Sequence, residues 1–314
     1  MRSLRCLQKH FERVCPFFYE KYPLNQKNTW CVGGKASYAY FPQERETFVA
    51  LFREIFNQEM PYAVIGGGSN VLISDNGVAG HVVFTEKLHT IAILEGTSSH
   101  GIKVYADSGV PLGELLKFSL KNSLSGLEFT LGIPGSLGGA LVGNAGTQGE
   151  CIGDLVQSVD LLFPDGTIQK VSGEDIRWGY RFSSLSEKPC VLLGCILELH
   201  KKSLEILQKN LAIFAEKRQG QPIIQKTAGS VFKNPEGDFA GRLLDISGCK
   251  GMISGGARVS LQHANFIENH DEASSRDILN LIFFCRDRVK ENTGVSLYPE
   301  VRFVGFEDSE ILFT

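Results

Sequence analysis

The segment 131–149, LGIPGSLGGALVGNAGTQG, restricts the structure of this chain more than any other stretch. Seven of its residues are glycine, and the hydroxyls of Ser136 and Thr147 are its only side-chain groups with acid, base or nucleophile chemistry. Such a segment offers backbone N–H groups and space, which suits the close approach of a phosphate or pyrophosphate. The alternative is a glycine-dense turn in a β-rich core, which composition alone favours.

The composition is that of a soluble globular protein. The chain has 314 residues, enough for two or three domains, with 43% hydrophobic and 21% charged residues. Its net charge of −3 gives no electrostatic reason to expect nucleic acid or an anionic membrane as a partner. No apolar run has the ~18 residues of a membrane-spanning helix, and the N-terminus lacks a secretory pattern.

The eight cysteines contain no C-x-x-C pair, and no histidine stands at a metal-ligand offset from a cysteine pair. This spacing argues against structural zinc, and the even scatter of the cysteines favours reduced thiols. We therefore expect no metal and a cytoplasmic location.

A second glycine turn lies in PYAVIGGGSNVLIS, residues 61–74. A short apolar strand runs into Gly66–Asn70 and is followed by another apolar run. The turn matches neither the dinucleotide fingerprint G-x-G-x-x-G nor a P-loop with its Gly-Lys-Ser/Thr ending. It still predicts a strand–glycine–strand cradle for a phosphate or a ring edge.

The remaining pattern predicts a β-rich α+β fold with antiparallel hairpins, not a regular βαβ alternation. Residues 44–58 carry Phe48, Leu51, Phe52, Ile55 and Phe56 at helical spacing, which predicts a helix packed on a core. Further helices are expected over 111–124, 203–219, 240–246 and 273–294, and an Asp-Gly hairpin turn at 165–166. Residues 1–27 are expected to be partly helical up to Pro23, and 29–34 to form a strand before a second strand.

Three polar residues of catalytic type stand in apolar surroundings. They are Arg181 in GYRFSS, Ser230 in AGSVFKNP with Lys233 nearby, and Glu300 in YPEVRF with Arg302 on the same strand face. Buried charged residues are costly unless they are paired or functional. The spacing leaves two interpretations open: a catalytic set, or a structural Arg181–Glu300 ion pair with Ser230 bonded to the backbone.

Seven motifs occur in an order that resembles the UDP-N-acetylenolpyruvoylglucosamine reductase family, MurB. The resemblance covers about residues 23–305, and the compact spacing around Ser230 is similar to the shorter, type II branch. The motifs are TWCVGGKASY, VIGGGSNVLI, GLEFTLGIPGSLGGALVGNAG, GYRFSSL, AGSVFKNP, GGARVSLQHANFIEN and LYPEVRFVG.

The resemblance implies an oxidoreductase with non-covalent FAD and NADPH as co-substrate. The reaction would reduce UDP-N-acetylenolpyruvoylglucosamine to UDP-N-acetylmuramate, a step of peptidoglycan precursor synthesis and thus of cell-wall biogenesis, cell shape and division. The implied fold is an α+β, two-part FAD-binding domain of the vanillyl-alcohol-oxidase type with a C-terminal α+β substrate domain. The first part of the FAD-binding domain would comprise residues 1–86, with 303–314 returning to it, and the second part residues 87–198. The substrate domain would comprise residues 199–302. The protein is expected to be a monomer.

The family's functional residues fall on definite positions of this chain. Arg181 and Glu300 would stabilise negative charge on the substrate carboxylate, and Ser230 would deliver a proton to the neighbouring carbon. The expected cofactor-binding residues are Ile65, Gly66, Gly67, Gly68, Ser69, Asn70, Val71, Gly132, Pro134, Gly135, Ser136, Gly138, Gly139, Ala140, Asn144, Ala145, Gly146 and Arg302. The expected partners of the substrate diphosphate are Arg218, Gln221, Lys233, Ser260 and Asn265, each of which is alternatively a surface or helix-end residue.

Two other functions stay open at this level. One is a different flavin oxidoreductase of the same fold, such as an oxidase of alcohols or sugars with a covalently tethered flavin. The other is a flavin-binding protein without catalytic activity, in which the three polar residues are structural.

Overall fold

A computed structural model describes residues 11–95, 101–147, 149–218 and 225–312, apart from the side chains of Lys217 and Arg218. The chain forms two compact units, each assembled from separate stretches of sequence. The first unit comprises Met1–Tyr19, Ala39–Gly67 and His81–Gly220. The second comprises Glu20–Tyr38, Gly68–Gly80 and Gln221–Thr314.

Besides the helical residues 11–14, the described residues form six α-helices. They are α1 (Arg45–Asn57), α2 (Leu112–Lys121), α3 (Leu137–Gly143), α4 (Leu204–Arg218), α5 (Ala240–Ile246) and α6 (Ser275–Thr293). The apolar stripe predicted for α1 is confirmed, since Phe48, Leu51, Phe52 and Ile55 are buried. Helix α6 begins at a capping box between Ser274 and Asp277 and ends at Gly294, which adopts φ +75°.

The strands are short apart from a few long ones in the first unit. They are β1 (Phe18–Pro23), β2 (Lys35–Tyr40), β3 (Tyr62–Ile65), β4 (Val71–Ile73), β5 (Val78–Phe84), β6 (Ile91–Ile93), β7 (Ile102–Asp107), β8 (Leu124–Ser125), β9 (Gly146–Thr147), β10 (Glu150–Cys151), β11 (Val156–Leu162), β12 (Ile168–Ser172), β13 (Trp178–Gly179), β14 (Phe182–Ser183), β15 (Val191–Lys201), β16 (Ile253–Ser254), β17 (Ala257–Val259), β18 (Ile267–Asn269) and β19 (Arg302–Val304).

The first unit is organised by an antiparallel sheet in the order β12-β11-β15-β7-β6, with β8 pairing the end of β15. The predicted Asp-Gly hairpin is confirmed, because Leu162 pairs with Ile168 and Gly166 adopts φ +79° in the turn. Helices α2 and α3 bury Leu115 and Leu141 in the same core as the sheet residue Leu197. Strands β3 and β5 pair in parallel beside this core.

The second unit joins a parallel pair, β4 with β19, to the antiparallel sheet β16-β17-β18. Its core takes Trp30 and Leu72 from the N-terminal third of the chain and Leu244 and Ile282 from helices α5 and α6. Trp30 is fully buried, and its Nε1 donates to the carbonyl of Ile267 at 2.7 Å. The second unit therefore depends on residues from both ends of the sequence.

Two expectations about the N-terminal region need correction. The lead-in is helical at 11–14, but 18–23 is strand β1, and the predicted strand at 29–34 is a turn followed by irregular backbone. The side chain of Asn28 explains this turn, because its Nδ2 donates to the carbonyls of both Leu24 and Val32. A side chain that holds the backbone in this way competes with strand pairing.

Helix α4 belongs to the first unit by its contacts. Leu211 and Phe214 of α4 pack on the core of the first unit, and Asn210 Nδ2 donates to Glu128 Oε1 at 3.1 Å. Among the described residues, no helix combines the length and the apolar character needed to cross a membrane.

Candidate active site

The two glycine segments of the first unit lie directly against each other. A methyl group placed on Gly66 would stand 2.1 Å from Ser136 Oγ, and one on Gly67 would stand 2.8 Å from Gly135 Cα. Both distances are below any normal carbon contact, so glycine is required at 66 and 67 for this approach. The turn after β3 and the start of α3 thus form one site, called below the glycine-rich site (residues 65–67 and 132–146).

Helix α3 inside this site is a feature that the glycine content of the segment does not predict. Ser136 is its N-cap and accepts the N–H of Gly139 at 3.4 Å, while Leu137 and Leu141 anchor the helix in the core. Asn144 ends the helix with φ +44°. Burial and capping therefore outweigh the low helix propensity of glycine here.

Asn144 also fixes the surroundings of the site. Its Nδ2 donates to the carbonyl of Gly179 at 2.9 Å, and its Oδ1 accepts the N–H of Gly153 at 3.0 Å. The residue is buried, at 5% exposure. Within the first unit its amide thus holds the segments around Gly153 and Gly179 against the end of α3.

Gly138 and Gly139 have different surroundings although they are neighbours. The N–H of Gly138 donates to the carbonyl of Ser108 at 2.7 Å, and a methyl on Gly138 would lie 2.9 Å from that oxygen. Gly139 is exposed, and a methyl there would meet only Ser136 Oγ, at 3.7 Å. Packing requires glycine at 138, whereas at 139 the folded chain has room for a side chain.

Two buried hydroxyl groups border the glycine-rich site without a hydrogen-bond partner among the described residues. They are Thr85 Oγ1, 3.7 Å from a methyl placed on Gly66, and Ser108 Oγ, beside Gly138. A buried polar group without a partner costs about 1–3 kcal/mol. These residues fit a bound polar group such as a flavin nucleotide, and no sequence motif pointed to either of them.

The other expected cofactor residues of the first unit lie along the same path. Gly132 and Gly135 adopt φ +71° and +113°, which only glycine accommodates readily. Pro134 is exposed, whereas Ile65, Ala140 and Ala145 are buried or largely so. Gly146 begins β9, and its carbonyl accepts the Nη1 of Arg181 at 3.0 Å.

Arg181 lies between β13 and β14 with φ +52°, an uncommon conformation for a non-glycine residue. Its guanidinium carbon is 5.3 Å from the ring centre of Tyr180, within the range of a cation–π contact. The bond to Gly146 and this contact hold Arg181 at the C-terminal end of the glycine-rich site. Backbone strain of this kind is frequent at functional positions.

The second unit brings Ser230 and Glu300 to adjacent extended segments. Ser230 pairs with Phe266 on one side. On the other side, the N–H of Glu300 donates to the carbonyl of Val231 at 2.7 Å, and the N–H of Lys233 donates to the carbonyl of Tyr298 at 2.9 Å. Ser230, Lys233 and Glu300 are half-buried, so their side chains keep access to solvent or substrate.

The remainder of the GGGSN turn belongs to the second unit and connects to Glu300. Asn70 Nδ2 donates to the carbonyl of Glu300 at 3.2 Å, and the N–H of Arg302 donates to the carbonyl of Asn70 at 3.1 Å. Val71 then pairs with Arg302 in the parallel β4–β19 ladder. Gly68 adopts φ +64°, and a methyl on it would lie 2.0 Å from the carbonyl oxygen of Lys27. Ser69 is half-buried beside it.

The expected substrate residues fall into three groups. Lys233 is half-buried three residues after Ser230, whereas Ser260 and Asn265 are buried at 0% and 3% exposure. Ser260 Oγ accepts the N–H of Gln262 at 3.2 Å, and the amide of Asn265 is bonded to the backbone of Phe232. The side chain of Arg218 and the whole of Gln221 lie outside the described residues.

Two family models match separate parts of the chain. The model described as "FAD binding domain" matches residues 36–172. The model described as "UDP-N-acetylenolpyruvoylglucosamine reductase, C-terminal domain" matches residues 221–304. The expected α+β fold with an FAD-binding part and a C-terminal domain is confirmed.

Relatives match almost the full length. UDP-N-acetylenolpyruvoylglucosamine reductase of Listeria welshimeri is 37% identical over 300 residues, covering 95% of this chain and 98% of the relative. The enzyme of the same name from Caldanaerobacter subterraneus is 35% identical over 288 residues, covering 91% and 93%. The crystal structure of UDP-N-acetylenolpyruvylglucosamine reductase (MurB) from Thermus caldophilus superposes with a TM-score of 0.75 at 33% identity, covering 91% of this chain and 98% of that one. The chain therefore belongs to the UDP-N-acetylenolpyruvoylglucosamine reductase family.

Proposed function

We propose that this protein reduces UDP-N-acetylenolpyruvoylglucosamine to UDP-N-acetylmuramate with NADPH as the reductant and FAD as a non-covalent cofactor. The observation that carries the proposal is the family match over nearly the whole chain, combined with Ser230 and Glu300 on adjacent hydrogen-bonded segments. A general acid and a carboxyl group carried on adjacent segments suit the protonation of a substrate whose carboxylate gains charge.

The glycine-rich site of the first unit would hold FAD, which supplies hydride-transfer chemistry when it is bound. Backbone N–H groups around Gly66 and Gly67 would contact its polar groups, Gly139 would leave room for it, and the hydroxyls of Thr85 and Ser108 would find partners there. Asn144 would shape the site through its bonds to Gly153 and Gly179. Ser69, Asn70 and Arg302 of the second unit are retained as cofactor-binding residues on the family resemblance.

The proposed catalytic residues each act on the substrate. Ser230 would donate its hydroxyl proton to the carbon next to the carboxylate as the enolate collapses, so that its O–H bond breaks as the C–H bond forms. Arg181 would hold the carboxylate through charge-assisted bonds, and protonated Glu300 would donate a hydrogen bond to it. These three roles rest on the family resemblance, and the local geometry of Ser230 and Glu300 supports them.

The substrate diphosphate needs cationic or amide partners. Lys233 suits this role because it is half-buried and lies three residues after Ser230. We retain Arg218 and Gln221 as candidates on the family resemblance. Ser260 and Asn265 are buried with their polar atoms bonded within the second unit, so we assign them as supports of the site. We further propose a first FAD-binding part at residues 1–86 with 303–314, a second at 87–198, and a substrate domain at 199–302. We also propose that the protein is a monomer and is located in the cytoplasm, where NADPH and nucleotide sugars are available.

Anaerobic titration of the purified protein with NADPH tests the proposed function. We expect the flavin absorbance band to bleach on addition of NADPH and to recover on addition of the enolpyruvyl nucleotide. Absence of bleaching would favour a flavin-binding protein without activity. Bleaching that only oxygen reverses, or a flavin that stays with the denatured chain, would favour an oxidase.

Replacement of Thr85 by valine tests the cofactor site. Valine keeps the shape of threonine and removes a buried hydroxyl that has no partner among the described residues. We expect the free energy of unfolding of the flavin-free protein to stay equal or rise, while the Kd for FAD rises about 5–10-fold, the value of one lost hydrogen bond. Quenching of flavin fluorescence measures the Kd.

Thr227→Val is the matched control, because Thr227 Oγ1 in the second unit is also buried without a partner among the described residues. Its Kd for FAD should equal that of the wild type. Equal affinities for FAD in all three proteins would remove Thr85 from the cofactor site.

A further inference from the structure

Asn265 connects the Ser230 segment to the neighbouring segment through both ends of its side-chain amide. Its Oδ1 accepts the N–H of Phe232 at 2.9 Å, and its Nδ2 donates to the carbonyl of Phe232, also at 2.9 Å. Its own carbonyl accepts the N–H of Val231 at 2.9 Å. One residue thus satisfies three polar groups within two positions of Ser230.

The surrounding backbone bonds connect Asn265 to the segments of Ser230 and Glu300. Ser230 pairs with Phe266, which follows Asn265 directly, and Glu300 donates to the carbonyl of Val231 at 2.7 Å. Phe232 also pairs with Pro299. Asn265 therefore fixes the register of the segment that holds both Ser230 and the backbone of Glu300.

We propose that Asn265 is a positioning residue that holds Ser230 in the register required for proton delivery. The inference rests on the proposed function and reassigns Asn265 from a contact of the substrate to a support of the acid. Its burial, at 3% exposure, removes it from direct substrate contact, and both ends of its amide are already bonded. A displacement of about 1 Å at a reacting group can cost about 10² in rate, so a small shift of this segment matters.

Asn269, at the end of β18, offers a matched control in the same unit. It is also a buried asparagine with both ends of its amide bonded: Nδ2 donates to the carbonyl of Trp30 at 2.8 Å, and Oδ1 accepts the N–H of Ala273 at 2.8 Å. These bonds connect segments other than 230–233. Replacement of either asparagine is expected to lower the free energy of unfolding, whereas only replacement of Asn265 is expected to slow proton delivery.

The test measures the two half-reactions of the FAD-loaded protein by stopped-flow absorbance. For Asn265→Leu we expect flavin reduction by NADPH to remain within about threefold of wild type, and reoxidation by the enolpyruvyl nucleotide to slow by about 10²-fold. For Asn269→Leu we expect the ratio of the two rates to be unchanged. The thermal unfolding temperature of each variant shows whether a change in this ratio accompanies a general loss of stability.

Asn265→Asp provides a second variant that keeps the shape of the side chain. A protonated carboxyl can still donate to the carbonyl of Phe232 and accept its N–H, whereas an ionised carboxylate cannot donate. Burial raises the pKa of such a carboxyl, so reoxidation should be fast at low pH and slow as the pH rises through that pKa. His263, Lys233 and Glu300 are titratable residues that also lie near this position. The Asn265→Leu variant keeps all three but has no carboxyl at position 265, so its reoxidation should not recover at low pH.

The outcomes separate the inference from the proposed function. If wild-type protein is not bleached by NADPH, or not reoxidised by the enolpyruvyl nucleotide, the proposed function fails. If wild type completes both steps but Asn265→Leu and Asn269→Leu show the same ratio, the positioning role fails. A ratio in Asn265→Asp that does not depend on pH would also overturn it.

Discussion

Replacement of Ser230 by alanine is expected to leave flavin reduction by NADPH intact and to slow flavin reoxidation by the enolpyruvyl nucleotide about 10²–10⁴-fold, the usual contribution of a positioned general acid. Ser230 directly precedes Val231, whose carbonyl accepts the N–H of Glu300, so the backbones of the two proposed catalytic residues lie on adjacent segments. Alanine removes the proton donor and preserves these backbone bonds. Stopped-flow absorbance at the flavin band measures both steps in a single sample.

Ser247→Ala is the control for this experiment. Ser247 is a buried serine at the end of α5 in the same unit, and its hydroxyl has no partner among the described residues. Its two half-reactions should match those of the wild type. Normal reoxidation in Ser230→Ala would eliminate Ser230 as the proton donor and leave its backbone pairing as its role.

Replacement of Gly139 by alanine is expected to stabilise the flavin-free protein and to weaken FAD binding. A methyl at 139 meets only Ser136 Oγ, at 3.7 Å, and alanine in a helix is favoured over glycine by about 0.5–1 kcal/mol. The same methyl would occupy space that we assign to the cofactor, and such overpacking costs about 1–3 kcal/mol. The Kd for FAD should therefore rise about 10–100-fold while the free energy of unfolding without flavin rises.

Gly113→Ala is the matched control, because Gly113 lies in the first turn of α2 with no atom within 4 Å of an added methyl. It should show the gain in stability without the loss of FAD. Valine at 139 should give a colourless folded protein, whereas valine at 135 should also destabilise the fold because Gly135 adopts φ +113°. Unchanged FAD affinity in Gly139→Ala would exclude this face of α3 from the cofactor site.

Local patterns predicted the parts of the structure that depend on neighbouring residues. The apolar spacing of α1, the Asp-Gly hairpin and the caps of α6 all follow from short-range rules. The glycine turn at 66–67 was also predicted from the sequence, because consecutive glycines indicate that another part of the backbone approaches closely.

The parts that the sequence did not predict depend on long-range placement. Thr85 and Ser108 are single hydroxyl residues, and only the fold shows that they are buried without partners beside the glycine-rich site. The bonds of Asn265 join residues 33 positions apart, so its amide could equally have been a substrate contact. The strand expected at 29–34 was wrong because one side chain, Asn28, holds a turn that backbone propensity does not favour.

Trp30 sets a requirement for how the second unit can be made. Its indole fills the core formed with α5 and α6, and its bond to the carbonyl of Ile267 joins residues 237 positions apart. A fragment that begins at residue 221 would have an empty slot at the centre of its core, so the matched C-terminal segment cannot be treated as a self-sufficient folding module. On a ribosome that adds about 5–20 residues per second, Ile267 is synthesised about 12–50 s after Trp30. During that interval the indole of Trp30 lacks the core residues that bury it in the folded second unit.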